Sequence, residues 1–329
     1  LARRAFPGVA ASGLLPATTR MLRLLLPVVV PGTLAALMAV YLRAFGLRLA
    51  ASASSLLFAA AAIAGIFLFL PGSGAAALGW SLLFASCLQV LFLLPLLALT
   101  LSRPGLEFSF RPSFRASSQV NRKYAARLGP AGIGAALAQA PPLVERFVAA
   151  ALPAGSISFL YFAGEVSRLP FTLVARAVQG RVQRDLSVPS SLPDRERVRR
   201  LLVEGVRNNL FLLAPLSILL VVLAEPFVSL LLGRAHFGPA EVRGTARVLQ
   251  FYAVGLVGWG LQALTARLFA ARLQERRAML FDLLLLAAQL PLAMTLARTS
   301  LGAAGVALAT SLAATLLGLL RVAALQLQL

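Results

Sequence analysis

Apolar stretches close to twenty residues long recur along the chain, separated by short segments that hold most of its arginines. At 1.5 Å of rise per residue, about 20 apolar residues cross the ~30 Å hydrocarbon core of a bilayer. The pattern therefore predicts an all-α, polytopic integral membrane protein with about nine transmembrane helices. The expected spans are Arg20–Leu42, Ala50–Leu70, Ala76–Leu101, Leu128–Leu152, Ser156–Gly180, Asn208–Leu232, Thr245–Ala271, Ala278–Leu296 and Gly302–Leu320. Residues 1–19 form a polar lead-in, and residues 20–101 hold three helices of a first lobe. Residues 102–127 form a linker rich in arginine, proline and phenylalanine, and residues 128–329 hold the six helices of a second lobe.

Alternating the loops gives two sets of very different charge. Arg43 and Arg48, the 102–127 linker, the 181–207 segment, the 272–277 turn and Arg321 fall on one side. The loops at 71–75, 153–155, 233–244 and 297–301 fall on the other, and they carry far fewer cations. Cytoplasmic loops are enriched in Lys and Arg, so the first set is expected in the cytoplasm and the lead-in outside. The lead-in has its own arginines, which fits that side only if further spans precede it. Within the 181–207 segment, Pro193-Asp194 followed by a charged run reads as the start of a short amphipathic helix on a solvated cytoplasmic face.

Composition supports the membrane reading. Hydrophobic residues make up 59% of the chain, mean hydropathy is +0.85, and only 13% of residues are charged, against about 25% in a soluble globule. The net charge of +20 would suggest nucleic acid in a soluble protein. Here the cations sit between apolar runs, where they act as topology determinants against anionic lipid, and no nucleic-acid partner is expected. The single Cys87 lies in an apolar run and reads as packing. The only histidine, His236, lies in a loop, so no metal cluster, cofactor or catalytic triad is expected.

Two adjacent spans carry charges at a depth where charge is costly in lipid: Glu145 and Arg146 in the fourth, Glu165, Arg168 and Arg176 in the fifth. In the fifth span, Ser158, Tyr161, Glu165, Arg168, Thr172, Arg176, Gln179 and Gln183 recur every three or four residues. At about 100° per residue they fall within one arc of roughly 80°, a polar stripe along one helix face. Glu165 and Arg168 are placed to pair, and Pro170 is expected to kink the helix. A simpler reading has the last third of this helix emerging into basic cytoplasm, with Arg176 snorkelling. Gly255, Gly258 and Gly260 lack a preceding strand and read as helix-packing positions. Asp282 and Gln289 are polar residues inside the eighth span.

The segment QAPPLVERFVAAALPAGSISFLYFA resembles the Q…LVDR.FAS.LP.GSIS.L.YADRL pattern of the MurJ/MviN family. These are the lipid II flippases of the multidrug/oligosaccharidyl-lipid/polysaccharide exporter superfamily. AEPFVSLLLGRAHFGPAEVRGTARVLQFYAVGL, LTARLFAARLQERR and LGAAGVALATSLAATL continue the similarity in order, over most of Leu128–Leu320. The first three spans match more loosely. The resemblance implies the fourth to twelfth of about fourteen helices, in two pseudo-symmetric lobes around a cationic cavity. It also implies alternating access that moves a lipid-linked sugar–peptide pyrophosphate from the inner to the outer leaflet of a bacterial plasma membrane. Glu145, Arg146, Tyr161, Glu165, Arg168, Thr172, Arg176, Arg267 and Arg272 are the cavity or substrate residues it suggests. Membrane lipids and cell-wall synthesis proteins are the other implied partners.

This chain departs from the family pattern at one revealing place. The aspartate of YADRL falls on Gly164 and its arginine on Glu165, with Arg168 one turn further on. The Gly-Asp-Thr turn that follows Arg267 and Arg272 in the family is also absent. Two other readings therefore stand beside the lipid II flippase. One is an ion-coupled exporter of another cargo, with Glu145 and Glu165 as proton carriers. The other is a transport-dead scaffold for cell-wall assembly.

Overall fold

The computed structural model describes residues 15–73, 76–101, 132–134, 136–137, 139–186, 195–233, 237–272 and 274–328. Among them all regular structure is helical. The chain divides into two compact units, Leu1–Phe114 and Arg115–Leu329. The lead-in before residue 15, the basic 102–127 linker and His236 lie outside the described residues.

The first unit holds α1 (Leu15–Leu25), a 3-10 turn (Leu26–Val28), α2 (Val29–Ala44), α3 (Arg48–Ser73) and α4 (Ala77–Leu101). Pro27 sits in the 3-10 turn, where its missing N–H and fixed φ interrupt regular α-helix within the first span. Gly46 has a φ of +84°, a left-handed conformation that closes the turn from α2 into α3 and that only glycine adopts without strain. Ala35, Met38, Ala39 and Leu42 of α2 pack on Ala51 and Leu93. Cys87 is exposed, which corrects the packing role expected for it: Ala85 and Ser86 take the buried positions of that turn of α4.

The second unit holds α5 (Ala140–Ala149), α6 (Ser156–Leu186), α7 (Arg195–Val222), α8 (Ala224–Leu232), α9 (Pro239–Val254), α10 (Leu256–Ala271), α11 (Glu275–Ala297) and α12 (Ala303–Gln326). α12 is the central element. It packs on α9, α10 and α11, and more lightly on α5 and α6. Its buried face is built from small residues such as Ala304, Ala307, Ser311, Ala314 and Gly318. In a membrane the hydrophobic effect does not drive helices together, so close backbone approach through small residues and interhelical hydrogen bonds take its place. A methyl group at Gly258 of α10 would lie 2.5 Å from Thr315 Cα of α12, so only glycine fits there.

Several expected boundaries move for identifiable reasons. α7 begins at Arg195, not Asn208, because Val198, Leu201, Leu202, Gly205, Asn209 and Leu213 form one buried stripe at helical spacing. The charged run is the outer face of that same helix. The helix then stops at Val222, so the single span expected over Asn208–Leu232 becomes α7 and α8. Pro226 has no N–H to give the Val222 carbonyl, and its ring would clash with that carbonyl. The seventh span bends by 47° between α9 and α10 at Gly255. The bend frees carbonyls at the end of α9, and neighbours supply donors: Ser311 Oγ to Phe251 O at 2.7 Å, and Ser217 Oγ to Ala253 O at 2.6 Å. α6 runs on through Pro170 to Leu186, past the expected end at Gly180.

Arg321 is not a loop residue. It lies inside α12, 2% exposed, and pairs with Asp282 of α11 at 2.5 Å while donating to Ala278 O at 3.1 Å. The Phe281 ring covers its guanidinium at 5.8 Å. The polar residue noticed inside the eighth span thus has its partner in the ninth.

Among the described residues, six helices are long and apolar enough to cross a membrane, or up to seven with the bent α9–α10 pair counted as one span. The expectation of about nine adds α5, which is ten residues long, and α6, which is 31 residues long but carries the charged stripe. The fold is that of a polytopic all-α membrane protein.

Two outcomes follow from this packing. Asp282→Ala, by stranding the buried Arg321 charge, lowers stability by about 3–5 kcal/mol, while the double variant Asp282→Leu/Arg321→Leu recovers most of it; thermal unfolding in detergent reads both. Gly258→Leu forces α10 off α12 and lowers the midpoint by an amount equivalent to at least about 1–3 kcal/mol.

Candidate functional site

The site lies wholly in the second unit. α5 opens with Pro141-Pro142 at its first helical positions, where the lost N–H groups have no helical acceptor. One turn later the helix delivers Glu145 inward and Arg146 to an exposed position. Thr310 Oγ1 of α12 donates to Glu145 Oε1 at 2.7 Å, and Tyr252 Oη of α9 donates to Oε2 at 2.8 Å. Thr310 Oγ1 in turn accepts from Gln289 Nε2 of α11 at 3.0 Å. One carboxylate and one amide therefore join four helices, and both oxygens of Glu145 are occupied by hydroxyl donors.

α6 presents the stripe. Ser158, Tyr161, Glu165, Arg168 and Thr172 are all exposed, while Leu160, Ala163, Val166 and Ser167 are buried on the opposite side. Glu165 Oε1 accepts from Arg168 Nη1 at 3.0 Å, the pairing their spacing suggested, with the two side chains 50% and 55% exposed. A cavity of about 270 Å³ lies between α5, α6, α9, α10, α11 and α12. Glu145, Arg146, Tyr161, Glu165 and Arg168 all line it. The rest of the wall includes three aromatic rings, Phe171, Tyr252 and Trp259, and two amides, Gln262 and Gln289, among small and aliphatic residues. Trp259 stands edge-on to Phe171 at 5.9 Å and tilted against Tyr252 at 5.8 Å.

The structure brings together five of the nine residues singled out in the sequence. Thr172 continues the exposed stripe but bonds its own helix, Oγ1 to Leu169 O at 3.0 Å, and is not in the cavity wall. The side chain of Arg176 lies outside the described residues. Arg267 and Arg272 are half-buried near the end of α10, outside the wall. Gln262 is the last α10 residue to reach it, and each further residue rises 1.5 Å along the helix. Sequence reasoning missed Tyr252, Trp259, Gln262 and Thr310. Gln289 had been noticed as a polar residue within an apolar span, and that signal was sound. Among the described residues no group of acids, histidines and cysteines is arranged to hold a metal.

The arrangement offers hydroxyl, carboxylate, guanidinium and amide groups on an aromatic wall, open to a polar ligand inside a membrane helix bundle. A model of the Lipid II flippase MurJ family matches residues 6–327. A probable lipid II flippase MurJ of Bdellovibrio bacteriovorus is 29% identical over 276 residues, covering 78% of this chain and 49% of the relative. One from Thermotoga maritima is 30% identical over 216 residues, covering 66% of this chain and 44% of the relative. The chain thus spans about half the length of the curated relatives it matches. A solved lipid II flippase MurJ in an inward closed conformation aligns with a TM-score of 0.75 at 18% identity, over 94% of this chain and 63% of that one. An inward-facing multidrug resistance MATE transporter of the MOP superfamily aligns with a TM-score of 0.67 at 14% identity, over 87% and 66%. The structural likenesses show the fold alone, an all-α multi-helix membrane bundle. With a family match along nearly its whole length, this chain belongs to the Lipid II flippase MurJ family.

Proposed function

We propose that the protein moves a lipid-linked peptidoglycan precursor, lipid II, from the inner to the outer leaflet by alternating access, and that it is a transporter without catalytic chemistry. The observation that carries this reading is the cavity in which Arg146 and Arg168 stand with Tyr161, Glu165 and Glu145 inside an apolar bundle. A phosphorylated head group needs guanidinium donors, whose planar fork matches phosphate oxygens. A polyprenyl tail needs only the bilayer, so the protein has to supply a polar path for the head group alone. In this proposal Arg146 and Arg168 contact the phosphates, Thr172 and Arg176 extend the stripe, and Arg267 and Arg272 serve the same lobe from the end of α10. The first three spans and the last six act as two lobes joined by the basic linker, which faces the cytoplasm. Cell-wall synthesis proteins are its membrane partners.

A second reading, ion-coupled export, draws on Glu145. Of the two carboxylates first considered as proton carriers, Glu165 is half exposed and paired, whereas Glu145 is enclosed by two hydroxyls from other helices. An enclosed carboxylate that ties several helices together is the better coupling group.

The test is growth of cells depleted of their own lipid II flippase, with lipid II head groups at the outer face as the direct readout. Arg168→Ala is expected to cut transport at least tenfold. Its effect on stability should be small, because exposed ion pairs contribute only about 0.2–1 kcal/mol. Arg168→Lys should restore transport only in part, since it keeps the charge and loses the fork. Normal transport by Arg168→Ala in a well-inserted protein would refute its assignment. Glu145→Gln is expected to remove any pH dependence of transport; a pH profile unchanged in that variant would rule out the ion-coupled reading.

A further inference from the structure

Glu165 is the residue that the flippase reading leaves without a purpose. A carboxylate repels a phosphate, and this one also occupies the guanidinium that a phosphate needs, through the 3.0 Å pair with Arg168. Among the charged groups that line the cavity, Glu145 and Glu165 match Arg146 and Arg168 in number. Such a wall has little net attraction for a bare dianion.

The surroundings of Glu165 suit a different chemistry. Tyr161 lies one turn earlier on the same face of α6, so its ring and the carboxylate stand side by side along the cavity wall. The Tyr161 ring is 50% exposed and braced edge-on by Phe162 at 5.5 Å, which is itself braced by Phe237 at 5.5 Å. Oε1 of Glu165 is used by Arg168, and Oε2 has no hydrogen-bond partner among the described residues. The Tyr161 hydroxyl likewise has none among them. Trp259 and Phe171 line the same cavity. A rigid aromatic face beside a carboxylate and a guanidinium, both with free hydrogen-bonding capacity, is the surface a sugar ring requires. The apolar C–H face of the ring lies on the aromatic group, and adjacent hydroxyls donate to the carboxylate and accept from the guanidinium.

We infer that Tyr161 and Glu165 form a saccharide subsite beside Arg168, and that Glu165 makes the cavity select glycosylated over bare polyprenyl pyrophosphate. The inference rests on the flippase reading for its cargo but makes a separate claim about binding. Glu165 holds Arg168. A glycosylated head group satisfies the Glu165 carboxylate with its hydroxyls and so releases the guanidinium to the phosphate. A bare pyrophosphate offers the carboxylate nothing and has to break the pair against repulsion.

The chain supplies its own reporter. It has two tryptophans, and Trp80 lies in the other unit, exposed on α4. The full chain carrying Trp80→Phe therefore reports on Trp259 in the cavity wall. Its fluorescence is titrated with N,N′-diacetylchitobiose and, separately, with inorganic pyrophosphate. The disaccharide is expected to give a saturable change at concentrations at least tenfold lower than pyrophosphate. Tyr161→Ala should weaken the disaccharide at least tenfold and leave pyrophosphate within twofold. Glu165→Gln should weaken the disaccharide and strengthen pyrophosphate at least tenfold, inverting the preference. Thermal midpoints within a few degrees of the parent show that each variant is folded. The inference is overturned if pyrophosphate binds more tightly than the disaccharide in the parent, if the disaccharide gives no saturable change, or if Glu165→Gln leaves the ratio unchanged. Loss of the disaccharide signal alongside normal lipid II transport would remove the subsite and leave the flippase reading intact. The expected binding pattern alongside absent transport would do the reverse.

Discussion

A polar side chain within a bilayer has no water to bond, so it must find its partner on a neighbouring helix. Glu145 is where this constraint is strongest, and the second unit is arranged around its solution. The carboxylate takes hydroxyl donors from α9 and α12, and α12 is tied in turn to α11 through Gln289. Removing any one of these groups leaves the others unpaired in a low-dielectric interior, where an unpaired polar group is most costly. The same rule places Arg321 on Asp282, Ser217 and Ser311 on the carbonyls freed at the α9–α10 bend, and Gln262 on Ala314 O at 2.8 Å.

Such short bonds require helices whose backbones lie close together. α12 provides that closeness with a face of alanine, glycine and serine, met by Gly255 at the bend and Gly258 of α10. The bend at Gly255 then has a second consequence. It sets Tyr252 on one side and Trp259 on the other, both against the cavity, so the packing solution and the aromatic wall come from the same few residues.

The two carboxylates of the site are held in contrasting ways. Glu145 is fixed by hydroxyls from two other helices, whereas Glu165 is half exposed and bonded within its own helix to Arg168. The first ties α5 to α9 and α12. The second sits on the open face, where an arriving ligand competes for it with only a weak surface pair. The subsite proposed at Tyr161 and Glu165 would exchange this ion pair for ligand contacts without loosening the bundle behind it.

Local pattern in the sequence was enough for the helical membrane class, for the polar stripe on α6 and for the pairing of Glu165 with Arg168, because each depends on spacings of three or four residues. The family resemblance across Leu128–Leu320 was equally legible, since it rests on motifs in linear order. Helix limits were less so. The start of α7 at Arg195 lay hidden in a charged run whose buried stripe only a packed neighbour defines, and the break before Pro226 was read through as one span. What only the tertiary structure decided is which distant residues meet. Glu145 finds Thr310 across 165 positions and Tyr252 across 107, while Arg321, read from the sequence as a loop cation, turns inward to Asp282 across 39. Hydropathy records how deep a residue sits but not which way it faces around the helix relative to its neighbours. That azimuth is set by the packing of small residues between helices, and it decides whether a buried charge is a partner, a wall or a site.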